Sequence, residues 1–341
     1  MSKPLFSYQN RMTYTLIIPV FNRPEETREL LESLTRQTFR DFEVLVIEDG
    51  STVDSRSVAE FFRDQLNLRY YAKENTGPGP TRNYGAALSQ ADYLLFLDSD
   101  CLLPEGYMET VDKCVLESQA DAFGGPDRSH KDFTPIQKAI SYAMTSFLTT
   151  GGIRGSSQKK LDNFYPRSFN MGIRRSVFNL LGGFSSMRFG EDVDLSIRIV
   201  ENGYKSQLFP QAWVWHKRRT SLKKFFKQVF NSGCARIVLK QRHPGSLKIV
   251  HLLPALFTAG VLSLLVLSPF YPLALVPILL YALLLFLDAL RVEKDLGVAL
   301  LSVPSAFVQL TGYGTGFIST LWKSLFRKKD NPFSFLDSFY K

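Results

Sequence analysis

"YLLFLDSDCLLP", Tyr93 to Pro104, carries an apolar run straight into two carboxylates, Asp98 and Asp100, one residue apart. A short continuous apolar segment ending in acidic residues reads as a strand buried on both faces, emerging where its sheet meets solvent. Similar units precede it. "TYTLIIPVF" (Thr13–Phe21) reaches Asn22 and is followed by "RPEETRELLESLTRQT", where Leu30, Leu31 and Leu34 recur at helical spacing. "FEVLVIEDGS" (Phe42–Ser51) leads into the helical "SVAEFFRDQL", and "LRYYAKEN" (Leu68–Asn75) into a Gly/Pro loop and a helix from about Thr81 to Gln90. Repeated β-α units predict an α/β domain with a mostly parallel sheet, and ligands of such sheets bind at the carboxyl ends of the strands. Here those ends carry Asn22, Glu48 with Asp49, Asn75, and Asp98 with Asp100, so polar groups converge on one edge.

The chain has 341 residues, 45% of them hydrophobic, and a formal net charge of +9. That is enough for a full core in one large domain or two. From Ile249 to Trp322 charge almost vanishes, so a boundary is placed at "QRHPGS" (Gln241–Ser246). This divides the chain into an extension (1–12), a soluble domain (13–240), a membrane region (247–322) and a basic tail (323–341). Segments 249–268 and 273–290 have about the length of bilayer-crossing helices. Lys217, Arg218, Arg219, Lys223, Lys224, Lys227, Arg236, Lys240, Arg242 and Lys248 precede them, whereas "SPFYP" between them is uncharged. The positive-inside rule then puts the N-terminal domain in the cytoplasm, at the inner face of the cytoplasmic membrane. The basic residues form a collar suited to anionic lipid, and no nucleic-acid partner is expected. Segment 296–322 conflicts with that rule, since a full crossing exports "KSLFRKK"; with Pro304, Gln309 and "GYGTG" inside it, a re-entrant or interfacial helix pair is expected in preference to a span. "MSKPLFSYQNRM" has no apolar core of a secretory signal. Cys101, Cys114 and Cys234 form no C-x-x-C and suit a reducing compartment without zinc.

On an extended chain Asp98 and Asp100 share one face. Such a pair repels unless a positive group intervenes, and Mg²⁺ or Mn²⁺ completed by substrate phosphates is a natural partner. "ENTGPGPTRNYG" (Glu74–Gly85) offers Gly77 and Gly79 for close backbone approach and Arg82 for charge, without the G-K-[ST] of a P-loop. "FGEDVDLSIRIVENG" (Phe189–Gly203) opens a helix with Glu191, Asp192 and Asp194 in its first turn and an Asp194–Arg198 pair at i,i+4. A carboxylate there serves either as a cap or as a general base. His216 ends the short strand of "AWVWHKRR" and is either structural or a nitrogen ligand to the same cation.

Taken together, "PVFNR", "EDGS", "GPGPTRN", "DSD", "FNMGIRRSVFNLLGGF" and "GEDVDLSIR", spread over Thr13–Arg236, resemble the family 2 glycosyltransferases of GT-A fold. The resemblance implies a nucleotide-sugar site at Pro19, Phe21, Asn22, Glu48, Asp49, Gly77, Arg82 and Asp98, with Asp49 on the base. It implies a Mg²⁺ or Mn²⁺ site at Asp98, Asp100 and His216, and Asp192 as catalytic base with Glu191 beside it. Glu48 stands where the family more often has aspartate, and the Q-x-x-R-W motif of processive synthases is missing, since "VFNS" follows Gln228.

The expected reaction is inverting, metal-dependent and non-processive sugar transfer from a nucleoside-diphosphate sugar to an acceptor hydroxyl, on a lipid-linked saccharide or glycolipid in cell-envelope synthesis. "SLKKFFKQVF" (Ser221–Phe230) could lie at the membrane surface, and "TGGIRGSSQ" (Thr150–Gln158) could order on substrate binding. The alternatives are a polyprenyl-phosphate glycosyltransferase, a membrane-tethered scaffold that binds nucleotide sugars without turnover, and a transporter. A transporter is disfavoured because Asp288 is the main ionisable residue within the apolar segments.

Overall fold

The computed structural model describes residues 12–130, 132–151 and 164–326. Of the expected ordering loop, residues 152–158 lie outside the described residues, as do 1–11 and 327–341. In chain order the first half contains β1 (Tyr14–Val20), α1 (Pro24–Thr35), β2 (Phe42–Asp49), α2 (Arg56–Phe62), β3 (Leu68–Lys73), α3 (Pro78–Leu88), β4 (Tyr93–Leu97), β5 (Cys101–Leu102) and α4 (Tyr107–Ser118). There follow β6 (Ala122–Gly124), β7 (Asp127–Arg128), α5 (Pro135–Thr145), α6 (Phe147–Thr150), β8 (Asn170–Arg174), α7 (Arg175–Leu180), α8 (Glu191–Glu201), β9 (Ser206–Leu208) and β10 (Val214–His216). The remainder is helical: α9 (Leu222–Arg242), α10 (Leu253–Leu267), α11 (Val276–Glu293) and α12 (Leu296–Phe326).

The chain divides into two units, and neither is continuous in sequence. The first comprises residues 12–128, 164–187 and 191–216 of those described. It is the expected α/β domain, a seven-stranded sheet in the order β3-β2-β1-β4-β8-β6-β9. β1 to β4 are mutually parallel, and β8 runs antiparallel to β4 and β6. Side-chain alternation feeds two cores. Leu16, Ile18, Val44, Val46 and Leu95 pack with Leu30, Leu34, Val58 and Val111 on one face. Ile17, Leu45, Ile47, Leu94 and Phe96 pack with Ala86, Phe178, Leu195 and Ile199 on the other. Burial on both faces is why the strands read as unbroken apolar runs. A small sheet, β5-β10-β7, is attached after β4. The Gly/Pro stretch expected as a loop is instead the first turn of α3, which begins at Pro78 behind Gly77; proline suits a first turn, where its missing N–H has no intrahelical partner.

The second unit contains residues 129–151, 188–190 and 217–326 of those described. Its core joins Ile140, Tyr142 and Met144 of α5 and Phe225 and Val229 of α9 to Leu285 and Ala289 of α11 and Ala299 and Ala306 of α12. Residues Ile249–Leu267, Pro272–Glu293 and Leu296–Phe326 are each long and apolar enough to cross a membrane. The third apolar segment is one unbroken helix, not the expected helix pair: Pro304 lies inside α12 without ending it. The glycines there serve close packing. A Cβ on Gly316 would stand 2.1 Å from the Phe230 carbonyl oxygen, and one on Gly233 of α9 2.1 Å from that of Tyr313, so backbones meet directly, as small residues allow between helices.

Candidate active site

Because β1 to β4 are parallel, their carboxyl ends share one edge of the sheet. β8 is antiparallel to β4 with Asn170 opposite Leu97, which brings the residues before Asn170 to that same edge.

Much of the polar convergence foreseen in the sequence builds the edge itself. Asn22 adopts a left-handed φ of 54°. Its Oδ1 accepts from the amides of Thr52 (2.9 Å) and Val53 (3.0 Å), tying the loop after β1 to that after β2. Glu48 is buried and accepts from the Ser51 hydroxyl, the Ser55 amide (2.8 Å) and the Tyr70 hydroxyl (3.4 Å). Asp49 accepts from Lys73 Nζ (2.7 Å) and the amides of Thr76 and Gly77 (both 2.9 Å). Gly77 can turn its amide this way because its φ is 90°, which side chains disfavour. Pro19 is half-buried in β1, and Phe21 beside it leaves half of its surface exposed.

Asp98 and Asp100 do not share a face of an extended chain. β4 ends at Leu97, and the Cys101 amide donates to the Asp98 carbonyl (3.0 Å), closing a turn that sends the two carboxylates to different partners. Asp98 Oδ1 accepts from Arg82 Nη2 at 2.7 Å, while Arg82 Nη1 donates to Glu191 Oε1 at 2.9 Å. Arg82 is only 3% exposed, so its cation is clamped between two carboxylates from opposite sides of the site. Asp100 pairs with Arg23 at the start of α1 and lies 3.2 Å from His216 Nε2. The small sheet delivers that histidine, pairing His216 with Cys101, and Phe169 stacks on its ring at 4.9 Å.

α8 presents the second acidic group. Asp192 Oδ2 accepts from Arg167 Nε at 2.7 Å and from the Ser168 amide at 3.4 Å. Asp194 is fully buried and takes Arg198 at 2.9 Å, while Arg198 also donates to the carbonyls of Leu181 and Gly183. This pair is therefore structural. The neighbouring carboxyls Glu191 and Asp192 are pushed apart. Burial, then the Asp192 charge, raises Glu191 to about 7 against the pull of Arg82. Burial would also raise Asp192, but the Arg167 guanidinium, together with Arg82 and the Val193 amide, more than reverses it and holds that carboxyl below the usual range. Two adjacent acids with opposite shifts are a common pattern in acid–base sites.

Asp100, Cys101 and His216 bring donor atoms within 4.8 Å of one another. Burial holds the Cys101 thiol well above its ordinary pKa, so it stays protonated. His216 and Arg23 overcome burial to keep Asp100 ionised. Asp100 Oδ1 is buried without a hydrogen bond among the described residues. A buried carboxylate oxygen whose neighbour is an imidazole nitrogen 3.2 Å away fits Mn²⁺ or Mg²⁺ when substrate oxygens complete the shell. Asp98, bound to Arg82, stands outside that cluster. Arg23, Lys73 and Arg167 were not singled out in the sequence. Arg23 had a signal, its place right after Asn22 at a strand end; Arg167 had none, because only the β4–β8 register brings it in.

Residues 15–182 match the family description "Glycosyl transferase family 2". An uncharacterized glycosyltransferase of Rickettsia bellii is 31% identical over 196 residues, covering 50% of this chain and 27% of its own length, so the chain spans only a small part of that relative. The O-antigen chain rhamnosyltransferase WbaN of Salmonella anatum is 25% identical over 229 residues, 65% of this chain and 71% of its own. Among solved structures, the mannosyltransferase PcManGT of Pyrobaculum calidifontis, in complex with GDP-Man and Mn²⁺, aligns with a TM-score of 0.62 at 17% identity, covering 92% of this chain and 88% of its own. That likeness is one of fold.

Proposed function

Since its residues 15–182 place this chain in glycosyl transferase family 2, we propose that it is an inverting, metal-dependent, non-processive enzyme that moves one sugar from a nucleoside-diphosphate donor to the hydroxyl of a lipid-linked saccharide or glycolipid, at the cytoplasmic face of a membrane. The carrying observation is that an ionised carboxylate, Asp192, stands beside a raised one, Glu191, and that Arg82 ties Glu191 to the Asp98 turn.

In this reading the acceptor oxygen attacks the anomeric carbon as the bond to the diphosphate oxygen breaks on the opposite face, and the hydroxyl proton passes to Asp192. Inversion follows from that single displacement. A divalent cation held by Asp100 and His216, with Asp98 nearby in sequence, would supply positive charge for the departing diphosphate. Arg82 acts by positioning: fixed between Asp98 and Glu191, it holds the donor turn and the head of α8 in register. Asn22, Asp49 and Gly77 shape the edge that receives the nucleotide, and the exposed ring of Phe21 offers it an apolar surface. The GDP-mannose and Mn²⁺ of the fold neighbour support the donor class and the ion. The O-antigen relative and the apolar C-terminal helices support a lipid-borne acceptor.

The test is transfer by the detergent-solubilised chain from UDP-, GDP- and dTDP-sugars to a membrane lipid extract, with Mn²⁺ or chelator. Labelling of lipid by one donor, lost with chelator and reduced at least about 100-fold in Asp192→Asn, is the expected result. Transfer by Asp192→Asn at the parent rate refutes the base assignment and favours a phosphate nucleophile, which needs no base.

A further inference from the structure

Three helices are long enough to cross a bilayer, yet the contacts of the last one are not those of a span. We infer that α12 lies in the plane of the membrane surface, across the open end of an α10–α11 hairpin that alone enters the bilayer, with an exposed apolar stripe turned to the boundary between lipid headgroups and acyl chains.

The first argument is where α12 touches the hairpin. Thr258 of α10 donates to the Leu310 carbonyl (3.4 Å), and a Cβ on Gly314 would meet Pro254 O at 2.3 Å. Phe307 packs on Phe257 of α10 and Tyr281 of α11 with ring centroids 5.8 and 5.7 Å apart, and Ala299 and Ala306 share a core with Leu285 and Ala289. Over residues 299 to 314, about 22 Å of helix axis, these contacts reach Pro254–Thr258 of α10 and Tyr281–Ala289 of α11, short of the hairpin tip. From 259 to 280, around the hairpin tip, not one residue is buried. A helix of 31 residues, about 46 Å long, that lay along the hairpin would have covered the tip.

The second argument is the level of that crossing. The turns of α11 that α12 covers also contain Asp288, which accepts from the Tyr142 hydroxyl of α5 (2.8 Å) and from Arg291 (2.8 Å). A polar cluster marks the water-facing end of a span, not its centre.

The third argument is what lies on the other side of α12. Gly312 and Gly316 admit α9 to backbone contact at Phe226, Val229 and Phe230. α9 exposes Lys223, Lys224, Lys227 and Lys240. A crossing α12 would draw those ammonium groups into hydrocarbon, where each is costly. An in-plane α12 leaves them among anionic headgroups. The residues of α12 left exposed are mostly apolar, Leu296, Leu300, Ile318, Trp322, Leu325 and Phe326, and tryptophan favours this boundary. The partner is the surface of an anionic bilayer, and Lys323, in the last turn of α12, stays on the side where the basic collar begins.

Spin labels at Leu300→Cys, Ile318→Cys and Leu325→Cys of the full chain in phosphatidylglycerol-containing nanodiscs test this by their oxygen and nickel accessibility. All three are expected at one shallow depth; a profile that passes through the bilayer centre between 300 and 325 overturns the inference. Labelling with an impermeant maleimide in sealed vesicles, with the parent chain as background, gives an independent reading. Lys294→Cys and Phe326→Cys are expected to label from one side and Phe270→Cys from the other. Labels at 294 and 326 from opposite sides, or all three from one side, likewise overturn it. Neither readout uses sugar transfer, so a failure of the enzymatic reading leaves this one standing.

Discussion

Glu191→Gln separates the charge of that side chain from its shape. Glutamine keeps an oxygen for Arg82 Nη1, which donates to Glu191 at 2.9 Å, but it cannot ionise. In the folded chain Glu191 titrates near 7, because burial, then the Asp192 charge, outweighs Arg82; unfolded, it titrates near the ordinary 4.5. Between those values the unfolded chain has released the proton and the folded chain still holds it, so parental stability falls as pH rises. A rise from 4.5 to about 7, at 1.36 kcal/mol per unit, amounts to about 3 kcal/mol. The variant lacks this loss. Relative to the parent it gains nothing below about pH 4.5, gains steadily up to about pH 7, and holds about 3 kcal/mol above that, or roughly 6–12 °C in Tm for a domain of this size. Thermal unfolding of both chains in one detergent, followed by near-UV circular dichroism in steps from about pH 4.5 to 8, measures the gap directly. A gap of the same size at every pH would mean that Glu191 is ionised throughout, and the account of two acids pushed apart would fall.

Arg167→Met removes the cation that holds Asp192 down, so the acid limb of kcat/KM moves to higher pH, by about one unit or more; an unmoved limb would deny Arg167 its positioning role. His216→Ala takes away half of the Asp100–His216 pair, and the Mn²⁺ needed for half-maximal transfer rises about tenfold or more; an unchanged requirement would place the cation elsewhere. Gly316→Ala forces a methyl against the Phe230 carbonyl, at a cost of about 1–3 kcal/mol. The melting transition of the helical unit shows that cost, and its absence would mean that α9 and α12 can separate freely.

The sheet was legible because its strands are buried on both faces: Ile17 and Ile18 serve opposite cores, so the middle of β1 had to be apolar. The position of the site was legible for the same reason, since acidic residues could appear only where the strands stop. Its inner wiring was not. The alternation rule assumes a strand that continues, and β4 stops one residue before Asp98. The partners of Arg82 lie 16 and 109 residues away, and Arg167 meets Asp192 only through the register of β8 against β4. In α12 the glycines that looked like a break are read correctly only once α9 and α10 are seen to press against them.

The interleaving of the two units has a practical consequence for anyone wanting the catalytic half in water. Cutting the chain before α10 removes the apolar helices but leaves α5 and α9 in place, with Ile140, Tyr142, Met144, Phe225 and Val229 stripped of the α11 and α12 residues that share their core. Such a fragment would carry a raw greasy face and stick to itself. A well-behaved soluble form needs the cut moved back to before α9 and a second excision, replacing residues 129–158 by a short bridge, so that what the chain threads through the membrane-facing unit is taken out along with its C-terminal third.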